Sequence, residues 1–259
     1  MISRARALLF AYTIATAGAV SAFGVSALSV GLPAVFLALF ADGVARPGSK
    51  VLYPTVTHGP RDRRRVALSF DDGPDPEVTP AVLDILARFG ARATFFSVGR
   101  LLEAQPELAR RVVAEGHELG NHSWRHSNWE PFSSPRAQIA EMERCERAIA
   151  AIAGSGAVPL YRAPFGVKSP PFVVAANAKR LTVVAWSLHS RDTRGARPAQ
   201  IAGRVLRSVR PGDIVLMHDG HDRPGEHRTA CADAVRQVLE GLRERKLECV
   251  TVSELLGRS

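Results

Sequence analysis

The stretch Val66-Ala-Leu-Ser-Phe-Asp-Asp-Gly-Pro74 decides how this chain is read. Five mostly apolar residues end abruptly in two adjacent carboxylates and a Gly-Pro turn. A short buried strand delivers acidic side chains to a sheet edge in this way. Outward from it, Thr79-Pro80 offers an N-cap with proline at the first helical position, and Ala81 to Phe89 keeps a helical apolar spacing until Gly90. Ala93 to Val98 reads as the next strand, followed by a helix through Leu108 to Ala114 and a stop at Gly116. Further strands are expected around Glu118–Gly120, Leu160–Tyr161, Leu181–Trp186, Asp213–His218 and Leu247–Val252. Helical stretches between them cover roughly 135–153, 170–179, 198–209 and 229–245. Strands alternating with helices of this length predict an α/β fold with a parallel sheet. A distorted (β/α) barrel of about seven strands is the expected form.

With 259 residues, 46% apolar and 23% charged, the chain suits one sizeable core, and a disordered or collagenous protein is excluded. A net charge of +9 would suit an anionic partner. Its densest run, Arg61 to Arg65, lacks interleaved aromatics and reads as a solvated linker, so no nucleic-acid partner is expected. Cys145, Cys231 and Cys249 are odd in number and show no C-x-x-C spacing. They read as small apolar fillers rather than a zinc site, with a Cys231–Cys249 bridge left open.

The N-terminus is different in kind. From Ala7 to Ala41 no residue is charged, and Arg4 and Arg6 precede the run. It exceeds both the ~15-residue limit of a signal-peptide core and the roughly 20 residues that span a bilayer. Gly31-Leu32-Pro33 interrupts it. Residues 1–41 are therefore expected to anchor the chain in a membrane, as one span or as a hairpin of two short ones. A single span puts the remainder outside the cytoplasm. A hairpin would return it, and Arg46, Lys50 and the Arg61–Arg65 run favour that side. The chemistry below favours the single span. Residues 42–65 read as a basic linker and 66–259 as the catalytic domain.

Polar residues fall in register at the ends of the expected strands. Asp71-Asp72 follows Phe70, Asn121-His122 follows Gly120, and Arg162 follows Tyr161. The loop Ser187–Asp192 follows Trp186, and His218-Asp219 follows Met217. In parallel α/β barrels that face carries the active site. His122 and His126, four apart, would share one face of a helical turn and reach one ion, although such pairs are as often surface or core residues. The adjacent carboxylates repel each other and call for a counter-charge. Asp72, His122 and His126 with an open position match a catalytic rather than a structural metal site. An ion there would acidify a water and polarise a carbonyl, which leaves Asp71 as candidate base and His218 as candidate acid. Arg162 is placed to pair with Asp71, and Asp192 to raise the pKa of His218. Plainer roles exist for each: a helix cap, a buried histidine satisfied by Asp219, a surface ion pair.

Ser69-Phe-Asp-Asp-Gly-Pro74, His122-Ser-Trp-Arg-His126, Arg162-Ala-Pro-Phe165, Trp186 through Asp192, and Leu216-Met-His218 resemble five ordered motifs. They are those of the polysaccharide deacetylase family (the NodB-homology domain, carbohydrate esterase family four), over about residues 66–256. The resemblance implies a distorted barrel and one divalent ion, commonly zinc, with cobalt or another ion possible. It implies Asp72, His122 and His126 as ligands, Asp71 as base, His218 as acid, Arg162 orienting Asp71 and Asp192 tuning His218. The backbone amide of Phe165 would assist the oxyanion. The chain departs from many relatives at His189, where they have Asp, and at Thr193, where they have the Trp that walls the acetyl methyl. That wall falls to Leu216 or Trp186, while His189 and His221 stay unassigned.

The expected function is a membrane-anchored, extracytoplasmic, metal-dependent hydrolase. It would remove N-acetyl groups from an amino-sugar polymer or oligomer (chitin-like, peptidoglycan or poly-N-acetylglucosamine) and release acetate. Alternatives are a deacylase of a lipid-linked sugar, an O-acetyl xylan esterase, and a non-catalytic carbohydrate-binding protein. A metal phosphoesterase would need a Gly-rich phosphate cradle, and none is evident.

Overall fold

The computed structural model describes residues 11–15, 18, 27–154, 160–221 and 228–258. Its strands are β1 (Thr55–Val56), β2 (Arg65–Asp71), β3 (Ala93–Ser97), β4 (Glu118–Asn121), β5 (Val183–Val184), β6 (Leu188–His189), β7 (Ile214–His218) and β8 (Glu248–Cys249). The helices are α1 (Ala27–Ala45), α2 (Val78–Phe89), α3 (Gly99–Ala104), α4 (Pro106–Ala114), α5 (Pro135–Ala153), α6 (Pro170–Lys179), α7 (Pro198–Ser208), α8 (Ala230–Glu244) and α9 (Val252–Leu255).

Strand β2 is the hub. It pairs in parallel with β3, with β7 and, at its start, with β8. The sheet runs β4-β3-β2-β7-β6, and all of its pairings are parallel. Past β4 the ladder thins to single bridges, Asn121 to Tyr161 and Tyr161 to Val183, before β5 pairs with β1. Since β5 leads along the chain into β6, these bridges draw the sheet into an irregular ring. Asp71, Asn121, Arg162, His189 and His218 stand at one rim of it.

Helices cover the outer face of the sheet, so β2 is buried at every residue after Arg65. That explains its continuous apolar run in place of an alternating one. Phe70 stacks on Phe95 at 5.0 Å and shares a core with Val82, Leu83 and Leu86 of α2 and Val235, Val238 and Leu239 of α8. Phe70→Ala should therefore cost about 3–5 kcal/mol of unfolding free energy. Urea denaturation checks it, and a loss under about 1 kcal/mol would mean that this core is not as close-packed as described.

Several details differ from the sequence reading. Thr79 is not an N-cap: α2 begins one residue earlier, and Asp75 Oδ1 accepts from the amides of Glu77 and Val78 instead. Thr79 Oγ1 points inward and donates to Asp219 Oδ2 at 2.6 Å. Residues 122–126 form no helical turn; Ser123 and His126 adopt left-handed backbone, with φ of 64° and 53°. Tyr161 contributes a bridge rather than a strand, and the last strand is two residues long because Thr251 caps α9. The three cysteines are buried and unbridged.

The segment before Arg65 also has structure. Leu52 and Tyr53 are buried in a second core with Tyr161 and Phe172, and Phe40 and Val44 of α1 pack against that core. Lys168 is buried; its amide donates to the Val44 carbonyl and its ammonium to those of Arg46 and Pro47. It thereby caps the C-terminal end of α1. Burial pushes its pKa down to about 8. Tyr12 stacks on Phe36 at 4.4 Å, so residues 11–15 lie beside α1. Among the described residues no helix is long and apolar enough to cross a membrane. Residues 1–10, 16–17 and 19–26, part of the expected anchor, lie outside the described residues.

Candidate metal centre and active site

Asp71 ends β2, and Asp72 follows in left-handed backbone at φ 73°, a conformation that Asp tolerates better than most residues. The change of backbone region lets two consecutive carboxylates take different partners. Asp71 Oδ1 accepts from Arg162 Nη1 at 2.6 Å. Arg162 is 1% exposed, and its Nη2 also donates to Ser69 Oγ (2.9 Å) and to the Ala185 carbonyl (3.1 Å). Its guanidinium lies 3.9 Å from the centre of the Phe96 ring. So many fixed partners leave Arg162 one position, and it holds Asp71 in one orientation.

Asp72 Oδ1 lies 3.6 Å from His122 Nε2 and 3.4 Å from His126 Nε2. Two donors each about 2.1 Å from a tetrahedral zinc are about 3.4 Å apart, so this trio fits one ion. All three residues are buried, and their donor atoms lie within 4.8 Å of one another. His122 Nδ1 is 2.8 Å from the Arg162 carbonyl, which fixes the proton on Nδ1 and leaves the Nε2 lone pair toward Asp72. Burial alone would raise the pKa of Asp72; the three imidazoles around it, His122, His126 and His218, outweigh burial and hold the carboxyl well below its usual range. Phe165, at φ 57°, sets its ring 4.6 Å from that of His126.

Across the site, His218 Nδ1 meets Asp192 Oδ1 at 2.9 Å, and Asp192 Oδ2 accepts from the His218 amide at 2.7 Å. Burial works against a charged His218, but Asp192 more than compensates and raises its pKa. Asp192 is lowered in turn, against its own burial, by the His218 charge and hydrogen bond. A protonated His218 paired through Nδ1 presents Nε2–H as a proton donor.

These groups share one pocket of about 270 Å³, lined by Asp71, Asp72, His122, His126, His218 and, on its apolar side, Phe165, Trp186 and Leu216. Every site residue expected from sequence thus borders the pocket or directly supports a residue that does. His189 also lines it, 6.1 Å from His218 ring to ring, as does Thr193. Asp219 does not serve His218. It is fully enclosed beside Thr79, where burial lifts its pKa to about 7.

Two features were missed. Arg228, at the edge of α8, reaches back to donate from Nη1 to Asp72 Oδ2 at 3.0 Å. Nothing in the sequence marks it apart from other arginines, because the contact depends on how α8 packs. Glu130, just past His126, is buried, and desolvation raises its pKa to about 7. A single carboxylate between Trp129 and Pro131 in a loop gives no signal of burial in the sequence.

The family described as polysaccharide deacetylase matches residues 58–184. A chitooligosaccharide deacetylase of Bradyrhizobium sp. (strain ANU 289) is 42% identical over 173 residues, 66% of this chain and 77% of that protein. The crystal structure of a peptidoglycan N-acetylglucosamine deacetylase in complex with 4-naphthalen-1-yl-N-oxidanyl-benzamide superposes with a TM-score of 0.71 at 30% identity, covering 79% of this chain and 94% of the other. A family pseudoenzyme from Bacillus anthracis reaches a TM-score of 0.68 at 25% identity over 79% of this chain and 69% of its own. With the five motifs gathered on one rim and relatives matched over most of their length, the chain belongs to the polysaccharide deacetylase family, carbohydrate esterase family four.

Proposed function

We propose that this protein hydrolyses the N-acetyl group of N-acetylglucosamine units in a chitin-like oligomer or peptidoglycan, releasing acetate and leaving a free amine. The observation that carries the reading is the Asp72–His122–His126 trio, with Asp71 and His218 on the same pocket and each backed by its own partner. A divalent ion held by the trio, for which zinc suits the two imidazoles and one carboxylate, would acidify a water and polarise the acetamide carbonyl. Asp71, pinned by Arg162, takes a proton from the attacking water. His218 delivers a proton to the departing sugar nitrogen. Trp186 and Leu216 supply the apolar wall for the acetyl methyl, and the amide of Phe165 is placed to assist the oxyanion.

Acetate release from chitooligosaccharides, peptidoglycan, poly-N-acetylglucosamine and acetylated xylan, with and without chelator, tests the proposal. Turnover indifferent to chelator would sink it. A purely sugar-binding role, as suits a pseudoenzyme, expects a missing base or acid, and this chain has both.

The pH profile gives a second test. Asp192 raises the pKa of His218, and the acid form exists only below that pKa. Activity is therefore lost as pH rises through it. Asp192→Asn should move the alkaline limb of kcat/KM to lower pH. A limb that stays in place would assign the acid role elsewhere.

We further propose that residues 1–41 attach the chain to a membrane, with the catalytic domain on the extracytoplasmic side. The charge-free run supports attachment, and the peptidoglycan named for one relative supports the side. A reporter active only outside the cytoplasm, fused after residue 60, should be active; an inactive fusion would overturn the orientation.

A further inference from the structure

The exposed large apolar side chains gather on a few neighbouring elements. Among the described residues they are Ile14, Val35, Leu37, Leu39, Trp129, Phe132, Phe165 and Val174. Trp129 and Phe132 are 77% and 78% exposed and flank the short turn that follows the ligand His126, their rings 6.2 Å apart. That turn touches α6, which carries Val174. Helix α6 supplies Phe172 and Val173 to the core against which Phe40 and Val44 of α1 pack. Helix α1 carries Val35, Leu37 and Leu39, and its capped end is joined through Lys168 to the turn that holds Phe165. None of the exposed set lies on α2, α4, α5, α7 or α8.

Exposed aromatics held this far out of a fold mark an interaction surface. We propose that this side of the catalytic domain lies on the lipid bilayer, with Trp129 and Phe132 seated at the headgroup boundary beside the N-terminal anchor. The inference rests on the reading that the N-terminal segment enters a membrane, and goes beyond it by orienting the domain. Three observations favour lipid as the occupant. The aromatic pair is linked, element to element, with α1, whose outward residues are apolar and continue the charge-free run. Trp beside Phe suits the interface, where an amphipathic ring keeps one edge in water. Exposed Arg136, close to the pair in the chain, and Arg180, at the end of α6, suit anionic headgroups, while Arg125 is paired with Glu141. Asn128 and Ser134 lie exposed beside the pair and could serve a sugar ring, but Val174, Val35, Leu37 and Leu39, which carry the apolar set on to α6 and α1, offer it no hydrogen bond. The capped end of α1 then brings Phe165 and the pocket mouth to the membrane surface, since Lys168 leaves no free tether between them.

The test uses the full chain in vesicles of phosphatidylcholine and phosphatidylglycerol carrying brominated acyl chains. Trp124 is buried and Trp186 faces the pocket, so Trp129 should supply most of the quenchable emission. Trp129→Phe should remove at least half of the lipid-dependent quenching. Phe132→Ser should weaken it at least about twofold while circular dichroism stays unchanged. A chain that floats with the vesicles while Trp129 stays open to aqueous iodide would overturn this proposal and leave the anchor standing. A chain that does not float would overturn both. Protection of Trp129 by chitotetraose without lipid quenching would assign the pair to sugar and overturn the lipid assignment.

Discussion

Asp71→Asn is expected to lower kcat for acetate release by about 100- to 10,000-fold, the range that a positioned general base contributes. The amide keeps the shape of the side chain and can still meet Arg162, but it cannot accept the proton of the attacking water. Because Asp71 is not one of the three residues grouped so that they could hold one ion, bound metal should remain at the wild-type level. Metal analysis beside steady-state kinetics separates the two effects. Retention of more than a tenth of wild-type kcat would remove Asp71 from the base role, and loss of metal together with activity would make it a ligand instead.

His122→Ala should have the other large effect, on metal and turnover together. His122 is fully enclosed, and its ring is set by the Arg162 carbonyl on one side and faces Asp72 on the other. Even partners that merely orient a ligand cost 10- to 100-fold in metal affinity when removed, so deleting a ligand should cost more than about 100-fold. Activity should fall to background at micromolar metal. Excess zinc restoring wild-type kcat would leave His122 as support rather than ligand. The substitution also removes one of the groups that face the buried Asp72, leaving it His126 and Arg228 beside the neighbouring Asp71, so the apo variant should melt lower than the wild-type apo protein.

The sequence carried the site further than the fold. Asp71, Arg162 and His218 were legible because each is a polar break directly after an apolar run, which has few purely structural uses at a strand end, and His122 because His126 follows it four residues on. The β2, β3 and β7 strands were legible for the same reason: their runs are long and buried on both faces. Where pairing shrinks to a bridge, as at Tyr161, or hides in a polar loop, as at Leu188–His189, no periodicity can form, and the pattern fell silent. Leu52 and Tyr53 looked like linker because arginines and prolines surround them. Packing against Met142 of α5, Phe172 of α6 and Tyr161 makes them core. Thr79 shows the limit of local rules. Its position suits a cap, but Asp75 was nearer the free amides and Asp219 needed a donor.

The three carboxylate and imidazole donors are brought together by β2 and by the loop that follows β4, strands joined only through β3. An extended chain presents no such trio, so an ion that binds here favours the folded state over the unfolded one. At a free concentration a thousand times its dissociation constant, that preference amounts to about 4 kcal/mol. Folding of the barrel and binding of such an ion would thus be thermodynamically linked, and thermal melting followed against added zinc reports the affinity of the centre without any substrate.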